Sequence, residues 1–111
     1  MSMTIKQLVE ESHGTALAKG WHENQRTPGE LIALMHSELS EALEEVRNGH
    51  NLHEVYLSDK GKPEGFGVEL ADCVVRIADA CGLYGIDLEA ILAQKMAYNK
   101  TRSHRHGGKA L

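Results

Sequence analysis

The chain has 111 residues, 41% of them hydrophobic and 25% charged, which suits one small domain with a limited core. Its formal net charge of −4 argues against broad binding to nucleic acid or to an anionic membrane surface. No apolar run nears the roughly 18 residues that span a bilayer, and MSMTIKQLVEES lacks the apolar core and cleavage site of a signal peptide, so a cytoplasmic location is expected.

A first helix is expected from Thr4 to about Lys19, with Ile5, Leu8, Val9, Ala16 and Leu17 at helical spacing. Gly14 weakens it by roughly 1 kcal/mol relative to alanine. Gly20 ends it, just after a lysine whose cation suits the C-terminal dipole. Trp21 and His22 fall in the loop that follows. Thr27-Pro28-Gly29-Glu30 then opens a second helix, with Thr27 as N-cap, Pro28 in the first position and Glu30 completing a capping box. This helix is expected to reach about Asn48, with Leu31, Met35, Leu39, Ala42, Leu43 and Val46 on its apolar face.

Residues 49–63 are the least helical part of the chain, broken by His50, Asn51, Gly61 and Pro63; Leu52, Val55, Tyr56 and Leu57 make at most a short apolar turn. His50 and His53 are expected to be exposed there. A third helix should start near Glu64 and stop at Gly82, its stripe being Leu70, Cys73, Val74, Ile77, Ala80 and Cys81. A fourth, N-capped by Asp87, should continue to about Arg102. The pattern holds no strand signal, internal repeat or second domain. It describes an all-α bundle of four main helices over 1–102, followed by a basic tail over 103–111 that is expected to be mobile or ordered by ligand. Cys73 and Cys81, eight residues apart on one helix, are too distant to pair and are expected to be small buried hydrophobes.

The acids on the second helix carry the chemistry. Glu38, Glu41 and Glu45 lie together at the edge of its apolar face, although neighbouring like charges cost roughly 0.2–0.5 kcal/mol per pair. Glu69 and Asp72 repeat the spacing within the third helix. Two such pairs on adjacent helices can converge four carboxylates on one hard cation, Mg²⁺ or alternatively Mn²⁺, which takes oxygen ligands and keeps room for water and substrate phosphates. Without a cation or a proton, two charges about 4 Å apart repel by ~4 kcal/mol at an effective dielectric near 20. On the fourth helix Lys95, Asn99 and Arg102 share one face. With His104, Arg105, His106 and Lys109 they form a cationic end suited to a substrate bearing several phosphates. Trp21 is a candidate for stacking on a base, and Arg76 is expected to join Asp79 in a structural ion-pair ladder.

The pattern Ser37-Glu38-Leu39-Ser40-Glu41, followed by Glu69-Leu70-Ala71-Asp72, closely resembles the ExxE…ExxD signature of the all-α nucleoside triphosphate pyrophosphohydrolases, in particular the MazG-like proteins. The segment from Lys95 to Arg102 is similar to that family as well, and the resemblance covers nearly the whole chain. It implies Mg²⁺-dependent cleavage between the α- and β-phosphates, releasing nucleoside monophosphate and pyrophosphate. Glu38, Glu41, Glu69 and Asp72 would be the metal ligands, and Lys95, Asn99 and Arg102 would contact phosphates. It also implies a homodimer or homotetramer whose sites are assembled from neighbouring subunits. Many members carry a further acid just before the first ligand, where this chain has Ser37. Glu45, one turn beyond Glu41 on the ligand face, is therefore the candidate for the water-activating base. Two other readings stand beside this one: a pyrophosphohydrolase acting on a phosphoribosyl nucleotide, and a non-catalytic helical interaction module. A carboxylate-bridged di-iron bundle would need Glu-x-x-His motifs on two helices, and only Glu10 to His13 offers one.

Overall fold

The computed structural model describes residues 2–102, and four helices carry most of that length. They are α1 (Ile5–Ala18), α2 (Pro28–Arg47), α3 (Phe66–Tyr84) and α4 (Leu88–Thr101), so the chain is all-α as its periodicity predicts. The tail, with Arg105 and Lys109, lies outside the described residues.

The helix starts follow from their capping residues. The Thr27 hydroxyl accepts the Glu30 N–H at 3.1 Å while the Glu30 carboxylate accepts the Thr27 N–H at 2.8 Å, a reciprocal box at the head of α2. Thr4 and Gln7 make the same box on α1, and the Asp87 carboxylate accepts the Ala90 N–H at 3.0 Å on α4. Each box or cap satisfies amides that the helix itself leaves unpaired, a contribution of about 1 kcal/mol.

Two elements differ from the sequence expectation. Residues 49–65 contain a minimal hairpin, in which β1 (Tyr56–Leu57) pairs antiparallel with β2 (Pro63–Glu64), Tyr56 opposite Glu64. Two-residue strands are too short to leave a period of two in the sequence. The third helix also runs through Gly82 to Tyr84 and is stopped by Gly85, whose φ of 66° is left-handed.

Helix α3 is the centre of the packing, against α1 on one side and α2 on the other. Helix α4 makes only a light contact with α1 and buries none of its residues. The described residues therefore form a three-helix body with a fourth helix beside it, rather than an evenly packed four-helix bundle. The radius of gyration, 16.4 Å, exceeds the ~13 Å of a compact chain near this length.

The buried faces also differ from those read by periodicity. On α2 the buried residues are Leu31, Glu38 and Ala42, while Leu39, Leu43 and Val46 stand out in solvent at 46%, 56% and 46% exposure. On α3, Glu69, Cys73, Ala78, Asp79 and Cys81 turn inward, and Leu70 and Val74 turn outward. Each helix carries two adjoining apolar stripes, and periodicity cannot say which of them meets the neighbouring helix. Small residues and three of the acids, Glu38, Glu69 and Asp79, face inward, while Glu41 stays exposed at the edge. Both cysteines are buried and unpaired, as expected.

Gly65 sets the start of α3. Its φ is 138°, and a Cβ there would collide with the carbonyl oxygen of Glu54 in the preceding loop. Its own carbonyl accepts the Glu69 N–H at 3.0 Å, so this turn also places the first acid of α3. We predict that Gly65→Ala lowers stability by about 1–3 kcal/mol, measured as a shift of the urea midpoint; an unchanged midpoint would show that the turn adapts.

Candidate metal centre

The inward turn of α2 and α3 brings carboxylates to the interface between them. Glu38 is 8% exposed and Glu69 only 4%, at positions where a packed helix pair normally places leucine. One oxygen from each of Glu38, Glu41 and Glu69 lies within 4.8 Å of the other two. Asp72, one turn beyond Glu69, lines the same cavity of about 330 Å³, together with Glu38, Glu41, Trp21, Lys62 and Arg76. The four acids that the sequence singles out are thus gathered at one place.

Their electrostatics follow from that crowding. Burial pushes the Glu69 carboxyl up to about 7, helped by a hydrogen bond shared with Glu41 and by the charges of Glu41, Asp72 and Glu38. Asp72 is raised as well, first by burial and then by Glu38, against the opposing pull of Lys62 and Arg76. Arg76 donates from Nε to Glu38 Oε1 at 2.8 Å, and its guanidinium lies over the Trp21 ring, 5.2 Å from the centroid. One guanidinium cannot satisfy the whole cluster. Glu69 Oε2 is buried with no hydrogen-bond partner, a vacancy that costs about 1–3 kcal/mol for an ordinary polar group. An all-oxygen donor set with an orphaned carboxylate oxygen is chemically suited to a hard divalent cation.

The expected ladder between Arg76 and Asp79 does not form. Arg76 turns to Glu38 on α2, whereas Asp79, 3% exposed, faces α1 and the following loop, where it accepts from His13 and His22. Their i, i+3 spacing would allow a pair on an exposed rod, but the helix is packed on both sides and each residue meets a different neighbour.

Glu45 lies one turn beyond Glu41 and outside the group of three. The Tyr56 hydroxyl donates to its Oε1 at 2.7 Å, and His50 Nε2 stands 3.8 Å from its Oε2, which is buried without a hydrogen-bond partner. The carboxylate, with burial adding to it, pushes the Tyr56 hydroxyl up to about 12. His50 stacks on the Tyr56 ring at 4.9 Å and is partly buried, contrary to its expected place as a solvent-exposed loop residue; His53 is exposed. The hairpin therefore anchors Glu45, a function that its loop-like sequence does not reveal.

The cations of α4 are placed elsewhere. Lys95 Nζ and the Arg102 guanidinium lie over the Tyr98 ring, at 5.1 and 5.9 Å from its centroid. Neither they nor Asn99 line the cavity beside the acids. Among the described residues the cations at that cavity are Lys62 and Arg76. Sequence reasoning missed Lys62 because it sits in an aperiodic stretch, and it set Arg76 aside as structural.

Comparison with family models, with curated proteins and with solved structures finds no match for this chain.

The raised Glu69 carboxyl has a measurable consequence in protein freed of divalent ions. Its proton is held more tightly in the folded chain, about 7, than at the ordinary value of 4.5. Stability should therefore fall as pH rises from about 4.5 to about 7 and level off above. Glu69→Gln should be more stable than the parent at pH 8, by about 1–3 kcal/mol, and should lose most of that slope. Urea denaturation in EDTA at pH 5 and pH 8 checks both, and equal stability of the two proteins at pH 8 would refute the prediction.

Proposed function

We propose that this chain is a nucleoside triphosphate pyrophosphohydrolase of the MazG-like all-α type, dependent on Mg²⁺ or alternatively Mn²⁺. It would open the anhydride between the α- and β-phosphates and release nucleoside monophosphate and pyrophosphate. The observation that supports this reading most directly is the convergence of Glu38, Glu41 and Glu69, with an unpartnered buried oxygen on Glu69, where Glu38 and Glu41 also line a cavity with Asp72, Lys62 and Trp21.

The roles follow from the chemistry of each group. Glu38, Glu41, Glu69 and Asp72 would hold the cation, which when bound neutralises the carboxylates and polarises phosphate oxygens. Lys62, beside Asp72, adds a point charge for a phosphate oxygen. Arg76 holds Glu38 in place, and its stacking on Trp21 leaves that ring at the cavity wall as a surface for a base. Glu45 is the candidate base. Tyr56 fixes one of its oxygens and the other is buried without a hydrogen-bond partner; Glu45 does not line the cavity, so it would serve as base only if bound substrate brought the attacking water to it. A volume of about 330 Å³ falls at the lower end of small-ligand sites.

The fourth helix fits this reading as part of an assembly. Ile32, Leu39, Leu43 and Val46 on α2, with Leu70, Val74 and Ile77 on α3, stand at 36–56% exposure and form two apolar stripes without a cover in the described chain. A homodimer or homotetramer that buries them is part of the proposal. In it, α4 of one copy would carry Lys95, Asn99 and Arg102 to the acids of another.

Two measurements test the reading. Glu38→Gln and Glu69→Gln should each lower the rate of Mg²⁺-dependent pyrophosphate release by about 10²-fold or more, assayed over a panel of ribo- and deoxynucleoside triphosphates; wild-type rates in either variant would remove that residue from the site. Light scattering should report at least a dimer, and Leu43→Lys should shift it toward monomer with loss of turnover. A fully active monomeric parent would defeat the assembly.

A further inference from the structure

A second group of metal-type ligands lies farther along α3, at Asp79, seven residues beyond Asp72. His13 Nδ1 is 2.9 Å from Asp79 Oδ1, and His22 Nε2 is 2.9 Å from both Asp79 oxygens. The three residues come from three places, α1, the loop after it and α3, and their ligand atoms lie within 4.8 Å of one another. Asp79 is 3% exposed, while the His13 and His22 side chains are 22% and 11% exposed, so the group is enclosed but reachable. Their rings are tilted, with centroids 5.6 Å apart, so both nitrogens aim at one carboxylate and the rings do not stack.

The chain gives up helix propensity to make this arrangement. Gly82 sits inside the last turns of α3, where glycine costs about 1 kcal/mol against alanine. A Cβ at that position would lie 2.5 Å from His13 Cβ and 2.8 Å from its Cγ, so the glycine lets the imidazole lie against the helix backbone. Its φ is not in the left-handed region, and space for His13 accounts for it.

We propose that His13, His22 and Asp79 form a binding site for one first-row transition ion, Zn²⁺ foremost, distinct from the oxygen cluster at Glu38, Glu41 and Glu69. Two imidazole nitrogens and one carboxylate oxygen are a borderline donor set that favours Zn²⁺, Ni²⁺, Co²⁺ and Cu²⁺ over Mg²⁺. Tetrahedral coordination at about 2.0–2.1 Å sets donors about 3.3 Å apart. The present 2.9 Å contacts therefore need to open by only a few tenths of an ångström. The ion would take the place of the two N–H protons that now bridge to the carboxylate; in a neutral imidazole each proton moves to the other ring nitrogen, so that His13 Nδ1 and His22 Nε2 each present a lone pair. His22 also lines a cavity of about 460 Å³ with Gln25, Arg26, Leu83 and Tyr84, an entry path for the ion and for a solvent ligand in the fourth position. The bound ion would pin α1 and the Trp21–His22 loop to α3.

Co²⁺ is the probe, because tetrahedral and octahedral Co²⁺ differ strongly in visible absorption. The full chain is used without an affinity tag, in excess Mg²⁺, with His104 and His106 replaced by alanine to remove tail ligands. One equivalent should bind with the intense bands of a tetrahedral site and be displaced by one equivalent of Zn²⁺. His13→Gln and His22→Gln keep a side-chain amide that can donate to Asp79 but is a poor metal ligand. Each should weaken binding by at least about tenfold and abolish the tetrahedral bands, whereas Glu38→Gln/Glu69→Gln should retain them. Zn²⁺ should raise the Tm of the parent and not that of His22→Gln. Absence of saturable binding, weak octahedral spectra alone, or full binding in the glutamine variants would overturn the proposal and leave a hydrogen-bonded cluster.

Discussion

The structure depends on carboxylates buried where two helices meet. Helices α2 and α3 pack through a face that contains Glu38 and Glu69 as well as Leu31, Ala42 and Cys73. Burial and mutual repulsion make this interface unfavourable for ionised acids, and the raised Glu69 and Asp72 carboxyls express that tension. Arg76 relieves part of it at Glu38. Hydrophobic burial elsewhere in the body is modest, since the most buried apolar residues are alanines, cysteines and one leucine. The same interface is thus the least comfortable part of the fold, and perturbed carboxyls of this kind are what mark it as the candidate site.

That trade explains how the sequence could be read and where it could not. Helix existence and type were legible from apolar spacing and, for α2 and α4, because the Thr27 capping box and the Asp87 cap are local signals, each satisfied within three residues. The acid spacing was legible for the same reason: i, i+3 pairs on any helix share a face. Which face turned inward was not local. Leu39, Leu43 and Val46 look like core by periodicity, and only the packing of α3 against α2 shows that Glu38 and Ala42 occupy that place. The hairpin that anchors Glu45 through Tyr56, and the lysine it carries at position 62, come from an aperiodic stretch whose partners are far away along the chain.

Gly82 illustrates the limit in a single residue. A glycine near a helix end reads as a stop signal, and α3 nevertheless continues for two more residues to Gly85. The reason is tertiary: His13, sixty-nine positions away, lies against the backbone at Gly82. Arg76 and Asp79 make the same point about side chains. Their spacing favours each other, yet α2 offers a carboxylate to one and α1 with its loop offers imidazoles to the other.

These separate attachments give α3 two chemically different stretches. Its first half presents oxygen donors to α2 beside a cavity; farther along, it presents a carboxylate enclosed by imidazoles from α1 and the following loop. The two stretches are joined by a short run of contacts. His22 holds Asp79, Trp21 precedes His22 in the same loop, and the Trp21 ring lies under the Arg76 guanidinium that donates to Glu38. Anything that fixes or releases His22 therefore acts on the position of Trp21, and through Arg76 on the one acid of the cluster that has a cationic hydrogen-bond donor. Loops of this kind hold few buried apolar contacts, so their placement rests on a small number of polar attachments. Here those attachments include the imidazole of His22, the stacked guanidinium and the Trp21 N–H that donates to the Ala16 carbonyl, and Arg76 links the loop to the acid cluster.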